Sequence, residues 1–268
     1  MPVANVVCMK WGDKYPSHYV NQLYAGVSRF LRRPFRFVCF TDDPSGVWPE
    51  VEIQPMPKEP FEDAFVRIAA GKRGIALRKV SLFRPGLAGL QGPVLGFDVD
   101  VAITGPLDDL FDFAPGKICM RRDWLEKRRM RPGGHGSVFR YDPALHSYVF
   151  EEFAADPEGR AAWAKGSEQK YTSLTALAHG DLEYFPPEWI SSFKRNSLWI
   201  PPLNHLFEPR LPADTRVLCF HGRPKLEEAL RGREGPWYLR SLPASWLGEF
   251  WNDEGVEGQP ASSPQPMR

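Results

Sequence analysis

The first 41 residues alternate between strand and helix patterns, which constrains the fold more than any other feature of the sequence. Asn5–Met9 (NVVCM) is a short valine-rich run, typical of a buried strand. Between positions 16 and 32 the apolar residues recur every three to four positions, which predicts an amphipathic helix. Phe35–Thr41 (FRFVCFT) is a second strand pattern, and a DDPSG turn follows it. This order predicts a right-handed β-α-β unit with parallel strands.

Strand and helix patterns continue over the rest of the chain, and neither an internal repeat nor a linker divides them. We expect strands at 51–57, 94–103, 117–120, 136–142, 181–186 and 215–222, and helices at 74–86, 105–113, 143–155 and 167–180. Hydrophobic residues make up 43% of the sequence, which supports a sizeable core. The sequence therefore predicts one α/β domain over 1–251, with a mixed, mainly parallel central sheet flanked by helices. We expect the polar remainder, 252–268, to be a disordered tail.

Charge and cysteine usage narrow the class of protein. The net charge of +1 gives no global attraction to nucleic acid, so a nucleic-acid partner is not expected. The four cysteines are far apart and form no Cys-x-x-Cys pair, which favours buried free thiols in a reducing compartment over a zinc site. The sequence shows neither a signal-peptide pattern nor an apolar run of about 18 residues. We therefore expect a cytoplasmic protein with at most peripheral membrane contact.

Two carboxylates interrupt the apolar stretch Val94–Ile103 (VLGFDVDVAI), at Asp98 and Asp100. Residues at i and i+2 of a strand lie on the same face, so the two charges repel each other. Removing such a charge from water costs on the order of several kcal/mol. The cost is offset only if the carboxylate pairs with an opposite charge or coordinates a cation. A divalent cation at the carboxyl edge of an open α/β sheet would satisfy both, because Mn²⁺ and Mg²⁺ prefer oxygen ligands and phosphates.

Two other interpretations of this pair remain open. Haloacid-dehalogenase-type phosphatases carry a DxDx[TV] motif after an apolar strand, but here the last position is Ala102, and two strands precede the motif. The pair is also compatible with a structural role, as a cap of the following segment or as surface ion pairs. An isolated Asp-x-Asp occurs by chance, so other segments must support any functional interpretation.

Several other segments supply that support. GPVLGFDVDVAITGPLDDLFD resembles the central stretch of family 8 glycosyltransferases, in which the Asp-x-Asp binds a manganese ion that holds the diphosphate of a nucleotide sugar. Further resemblances follow the family's order, in the segments ALRKVSLFRP, GSVFRYDP, SEQKYTSLTAL, PPEWI, FHGRPK and GPW. The likeness extends to about Trp237. Each match is weak, and their common order carries the resemblance.

The resemblance implies a GT-A fold, a Rossmann-like arrangement, and transfer of a sugar from a nucleotide diphosphate sugar, with UDP as the family's usual nucleotide. It implies that Asp98 and Asp100 hold Mn²⁺ (or Mg²⁺), with His221 as a third ligand. The family's histidine falls nearer Cys219 in this sequence, so His221 departs from the family's spacing. A mixed carboxylate and imidazole set is acceptable chemistry for such an ion.

The resemblance also implies cationic contacts to the diphosphate. Gly222 and Lys225, in HGRPK, match the family's closing motif, and Lys79 with its neighbour Arg78 matches the upstream cationic contact. A cation and ammonium groups stabilise the charge that develops on a departing diphosphate. The alternative for either lysine is an ordinary surface base.

Glu168 and Gln169 match the family's pair near the sugar, and we take them as the catalytic candidates. Here Glu168 replaces the family's aspartate. The alternative is a polar helix start, since a carboxylate is favourable in a first helical turn. No residue is assigned as a nucleophile.

Positions in the fold suggest a site for the nucleotide base. The loop KWGDKYP, from Lys10, follows the first strand, where such folds bind the base, so Trp11 or Tyr15 is expected to stack on it. Asp42 ends the second strand and is expected to accept hydrogen bonds from the base or the ribose.

A basic segment at 121–136 (RRDWLEKRRMRPGGHG) follows the next strand, where acceptor loops often lie. It is compatible with an acidic acceptor such as a phosphorylated glycan, with an anionic membrane surface, or with a solvated loop. The acceptor itself, whether glycan, lipid or protein, is not defined by the sequence. The remaining alternatives to a transferase are a nucleotidyltransferase, a phosphatase and a non-catalytic nucleotide-sugar binder.

Overall fold

The computed structural model describes residues 3–69, 74–125, 132–233 and 235–251. The strands within these residues are β1 (Ala4–Lys10), β2 (Phe35–Thr41), β3 (Glu52–Pro55), β4 (Val94–Phe97), β5 (Val101–Ile103), β6 (Ile118–Arg122), β7 (Gly134–Tyr141), β8 (Leu182–Tyr184), β9 (Ile190–Ser192) and β10 (Val217–Cys219). The expected tail at 252–268 lies outside the described residues, so its disorder stays a prediction.

The α-helices of the described residues are α1 (His18–Phe30), α2 (Glu62–Ala69), α3 (Asp108–Asp112), α4 (Tyr148–Ala155), α5 (Pro157–Trp163), α6 (Glu168–Ala178) and α7 (Leu226–Arg231). The same described residues form four 3-10 helices, at Gly74–Phe83, Leu87–Gly89, Leu203–His205 and Ser245–Glu249, and a π-helical turn at Phe193–Ser197. None of the helices that the structure describes is both long and apolar enough to cross a bilayer.

A seven-stranded mixed sheet forms the centre of the molecule, in the order β3-β2-β1-β4-β7-β6-β8. The strand pairs β3-β2, β2-β1, β1-β4 and β6-β8 are parallel, whereas β7 runs antiparallel to both β4 and β6. All seven residues of β1 are buried, as expected for a central parallel strand covered on both faces. The predicted α/β class with a mixed, mainly parallel sheet is therefore confirmed.

The side chains of β1 alternate between two apolar cores, one on each face of the sheet. Val6 and Cys8 belong to the core that receives α1, and Val7 and Met9 belong to the core on the opposite face. All four cysteines are buried with free thiols, as the sequence predicted.

The stretch 94–103 is not one strand, which corrects the sequence prediction. Its first half is β4 of the central sheet, whereas its second half is β5, which pairs with β10 in a separate three-stranded sheet. The bend between them falls at Asp98–Asp100. Since the apolar pattern is continuous across the bend, periodicity alone gave no sign that the chain changes sheets.

Two predicted helices also differ from the structure. The segment 74–86 forms a 3-10 helix over Gly74–Phe83. The helix expected from position 143 begins only at Tyr148. The residues before it form a turn around Asp142. The Asp142 side chain accepts a hydrogen bond from the Ala144 amide at 2.9 Å, and the Asp142 carbonyl oxygen accepts one from the His146 amide at 2.9 Å. Such local capping competes with helix initiation at Pro143.

Candidate functional site

A cleft of about 690 Å³ lies at the carboxyl ends of β1 and β4. The loop after β1, the Asp98–Asp100 bend, the start of β7, the first turn of α6 and the residues after β10 form its walls. Open α/β sheets bind ligands at this edge because loops from adjacent parallel strands converge there. The predicted site residues that line it are Lys10, Trp11, Tyr15, Lys79, Asp98, Asp100, Glu168, Gln169, His221 and Gly222.

Asp98 is held by one ammonium and one hydroxyl. The Lys79 ammonium contacts Asp98 Oδ1, and Ser137 Oγ donates to Asp98 Oδ2 at 2.7 Å. Burial raises the pKa of Asp98, but Lys79 and Ser137 outweigh it, so the pKa lies below its usual range. Burial likewise lowers the pKa of Lys79, and Asp98 and Glu168 more than reverse that effect. Asp98 and Lys79 are therefore a charged pair.

Asp100 has a second, independent set of partners. The Lys225 ammonium donates to Asp100 Oδ2 at 2.9 Å, and the Tyr15 hydroxyl contacts both groups. Burial and the Asp100 charge raise the pKa of Tyr15, so its hydroxyl remains a donor at neutral pH. The Phe220 amide donates to the Asp100 carbonyl oxygen at 3.1 Å, which anchors the bend to the end of β10. Each aspartate thus has its own lysine, from opposite ends of the sequence.

The first turn of α6 brings Glu168 and Gln169 into the cleft. Glu168 is buried, and Thr172 Oγ1 donates a hydrogen bond to its Oε1 at 3.3 Å. Burial raises the pKa of Glu168 to about 7, with Lys79 opposing the shift and Asp98 adding to it. Gln169 Oε1 accepts the Gly136 amide at 3.1 Å. A carboxyl group that titrates near neutrality suits proton transfer.

Gly136 permits the close approach of β7 to this turn. A Cβ added at Gly136 would lie 3.0 Å from Gln169 Cβ and 3.1 Å from Glu168 Oε2. A side chain there would crowd both catalytic candidates, so glycine keeps β7 and this turn close together.

His221 lies in an aromatic cluster beside the two carboxylates. Its Nε2 is 2.8 Å from Ser192 Oγ, and its ring stacks on Trp124 with 5.0 Å between centroids. The His135 ring is 4.9 Å away. Burial lowers the pKa of His221 to about 3 and that of His135 to about 4, so both imidazoles are neutral at pH 7.

The donor set fits a divalent cation in part. Asp98 and Asp100 offer carboxylate oxygens in one cleft, as an ion bound by one or two carboxylates and by substrate phosphates requires. In the parts of the chain that the structure describes, however, no group of three His, Cys, Asp or Glu side chains is placed to hold a metal. The role of His221 as third ligand therefore stays a prediction. In the structure, its Nε2 lies within hydrogen-bond distance of Ser192 Oγ.

The other predicted residues lie around the cleft. Asp42 Oδ2 accepts the Gly12 amide at 3.0 Å, so it holds the loop after β1. Lys10 Nζ is 3.5 Å from the Asp43 carbonyl oxygen. Arg78 is half-buried and is not among the described residues that line the cleft.

The basic segment 121–136 is described only in part, since 126–131 lie outside the described residues. Arg121 Nε donates to the Ile190 carbonyl oxygen at 2.9 Å, and its guanidinium lies 5.0 Å from the Trp124 ring centroid. The guanidinium of Arg122 lies 4.4 Å from the Tyr184 ring centroid. Arg121 is therefore packed against the protein, whereas Arg122 is exposed and lies over one face of a ring.

Ser137, His135 and Trp124 were not singled out in the sequence. Ser137 lies within GSVFRYDP, and its contact with Asp98 joins β7 to the bend after β4. Its position at the start of that motif was the available signal. Trp124 contacts the rings of His135 and His221 only in the folded chain, and the sequence carries no pattern that predicts such packing.

Comparison with solved structures finds glycosyltransferases. LgtC, in an active-site mutant, aligns with a TM-score of 0.55 and 13% identity over 91% of this chain and 94% of that one. Mouse xyloside xylosyltransferase 1 aligns with a TM-score of 0.50 and 11% identity over 83% of this chain and 98% of that one. The bifunctional glycosyltransferase WbbM aligns with a TM-score of 0.50 and 12% identity over 84% of this chain and 46% of that one.

The identities are low, so the likeness is one of fold. The protein has the GT-A-like fold of glycosyltransferases, which confirms the fold inferred from the ordered motifs. No protein-family model matches the sequence, and no curated protein matches it.

Proposed function

We propose that the protein transfers a sugar from a nucleotide diphosphate sugar, most simply a UDP-sugar, to a glycan acceptor in this cleft. One observation carries the proposal: two aspartates that line the cleft at the carboxyl edge of the sheet each hold a lysine ammonium. The galactosyltransferase LgtC, which shares the fold, has been solved with donor and acceptor sugar analogues bound. That likeness supports a nucleotide-sugar donor here.

The charges of the cleft suit a departing diphosphate. As the glycosidic bond breaks, negative charge develops on the nucleoside diphosphate, and preorganised cationic donors stabilise it. Lys79 and Lys225 are the cationic candidates, because both ammoniums lie at the aspartates of the cleft. An arriving diphosphate supplies new acceptors for them, so each ammonium can leave its aspartate without losing a charged partner.

Asp98 and Asp100 are the residues that would hold Mn²⁺ or Mg²⁺. Such an ion supplies electrostatic stabilisation of the diphosphate oxygens. Because both carboxylates are already paired with lysines, we expect the cation and the nucleotide to bind cooperatively. The nucleotide takes the ammoniums, and the carboxylates become available as oxygen ligands.

Trp11 is the better candidate for stacking on the base. The Tyr15 hydroxyl is engaged with Asp100 and Lys225, and its ring is 4.6 Å from the Lys225 ammonium, so Tyr15 belongs to the charge network. Trp11 lines the cleft on the same loop, which Asp42 fixes through the Gly12 amide. Stacking on an indole is favourable for any base.

Glu168 and Gln169 are proposed to act at the sugar. Glu168 holds or releases a proton near neutral pH, since its pKa is raised to about 7. Gln169 is held by the Gly136 amide, with its amide nitrogen available as a donor.

Turnover tests the transferase proposal. The full chain is incubated with Mn²⁺ and a series of UDP-sugars, and released UDP is measured against the variant Asp98→Asn. We expect UDP release from at least one donor that depends on Asp98. Tight UDP binding with no release from any nucleotide sugar would contradict transfer and identify a non-catalytic binder.

A further inference from the structure

Large apolar side chains are concentrated on one part of the surface. Among the described residues, ten large hydrophobic side chains are exposed, and six of them lie in two segments near the C-terminal end. We call these six the apolar patch: Ile200, Leu203, Leu206, Phe207, Trp237 and Tyr238. Ile200 is 75% exposed, Leu206 66% and Trp237 62%. A cluster of this kind on a folded surface indicates an interaction site.

The two segments form one surface. Asn204 is fully buried, and its Nδ2 donates to the Arg240 carbonyl oxygen at 2.6 Å and to the Trp237 carbonyl oxygen at 3.3 Å. The ring centroids of Trp199 and Phe207 are 5.7 Å apart. The apolar side chains are therefore displayed on an ordered backbone.

Basic residues flank the apolar patch along the chain, and we call them the basic rim. The segments 193–210 and 231–240 contain six basic residues, Lys194, Arg195, Arg210, Arg231, Arg233 and Arg240, against Glu208 and Glu234. The five arginines are exposed. Glu208 accepts the amide and the hydroxyl of Ser245, each at 2.6 Å, which lowers its pKa. Its carboxylate is thus held by the amide and the hydroxyl of Ser245.

We propose that this face docks on an anionic lipid bilayer. Tryptophan and tyrosine favour the membrane interface, the aliphatic side chains favour its apolar boundary, and arginines favour acidic headgroups. A second copy of the chain fits less well, because a symmetric pairing of this face would bring two basic rims together.

The apolar patch lies close in sequence to a wall of the cleft. Lys194 is at the start of the same segment, and a Cβ added at the cleft-lining Gly222 would lie 3.0 Å from Lys194 Nζ. Docking through this face would bring that wall of the cleft towards the headgroup layer. The proposal rests on surface composition and does not require the transferase activity.

Vesicle binding without nucleotide tests the proposal. The full chain is sedimented with large unilamellar vesicles of phosphatidylcholine, with or without about one third phosphatidylglycerol, at low and at high salt. We expect binding to the anionic vesicles that weakens with salt, since headgroup attraction is screened. Absence of binding to anionic vesicles, or equal binding to neutral ones at all salt concentrations, would overturn it.

Matched variants distinguish vesicle binding through this face from non-specific hydrophobic adsorption. The triple variant Ile200→Ser, Leu206→Ser, Trp237→Ala should lose about tenfold or more in partitioning, because three inserted apolar side chains are removed. The control Leu145→Ser, Leu177→Ser removes apolar side chains that are also exposed, 55% and 45%, and should bind like the wild type.

Two further readouts complete the test. Arg195→Gln with Arg233→Gln should weaken binding to anionic vesicles and reduce its salt dependence. Light scattering of the wild type and the triple variant shows the oligomeric state. A dimer of the wild type that the triple variant abolishes, with unchanged vesicle binding, would assign this face to a second copy and overturn the membrane proposal.

Discussion

The Lys225 ammonium donates a hydrogen bond to Asp100 Oδ2 at 2.9 Å, although the two residues are 125 positions apart in the sequence. Lys79 makes the equivalent contact with Asp98 from the N-terminal side. Two carboxylates that would repel each other are thus each neutralised separately in one cleft. This pairing explains how the bend between β4 and β5 tolerates both charges.

Lys225→Gln should weaken nucleotide binding and lower stability. Losing a charge-assisted contact to the diphosphate should cost about tenfold or more in UDP affinity. Leaving Asp100 without its ammonium should reduce the free energy of unfolding by about 1–3 kcal/mol. Calorimetry and urea denaturation measure the two effects.

A control for this variant is Lys117→Gln. Lys117 pairs with Asp181 at 3.3 Å, and Asp181, unlike Asp100, does not line the cleft. Its loss should leave UDP affinity unchanged. Equal UDP affinities of Lys225→Gln and the wild type would show that Lys225 does not reach the diphosphate.

Trp11→Ala should separate base binding from diphosphate binding. Loss of stacking costs about 1–3 kcal/mol per base, so UDP affinity should fall about tenfold. Pyrophosphate with Mn²⁺ should bind both proteins equally, because it has no base. Weakened binding of both ligands would instead show that Trp11 supports the cleft as a whole.

The pH dependence of stability should report Glu168. Its pKa is raised from 4.5 to about 7 by burial, so the folded state binds more protons than the unfolded state between these values. The stabilising contribution of the neutral form is complete below pH 4.5 and is lost as the pH rises through 7. The difference is on the order of 3 kcal/mol.

Glu168→Gln removes the titrating group and should abolish this part of the pH dependence. Urea denaturation at pH 5 and pH 8 measures it, with the exposed Glu151→Gln as a control. We expect Glu168→Gln to gain stability relative to the wild type at pH 8 but not at pH 5. If the stability of Glu168→Gln changed with pH as that of Glu151→Gln does, Glu168 would be ionised over the whole range.

Local patterns predicted the elements better than they predicted the site. β2 has the bounds expected for Phe35–Thr41, and α1 lies within the amphipathic stretch 16–32, because burial of one face leaves a regular apolar spacing. The break of 94–103 into β4 and β5 had no such signal. It depends on β10, which arrives more than a hundred residues later to pair with β5.

The partners of the site residues were harder to predict for the same reason. The sequence identified Asp98, Asp100 and the two lysines, but it paired the carboxylates with a cation and assigned the lysines to the diphosphate. The ion pairs Lys79–Asp98 and Lys225–Asp100 exist only once the chain is folded. Tyr15 was expected at the base, and its contact with Asp100 likewise depends on tertiary structure.

The central claim is that Asp98 and Asp100 form a site shared by a divalent cation and a nucleoside diphosphate. The most direct test is calorimetric titration with UDP, with and without Mn²⁺, on the wild type, Asp98→Asn and Asp100→Asn. We predict that Mn²⁺ tightens UDP binding to the wild type by about tenfold or more, in the range of typical coupling energies, and that either substitution removes most of this effect. UDP binding that Mn²⁺ does not tighten, or coupling that both variants retain, would contradict the account.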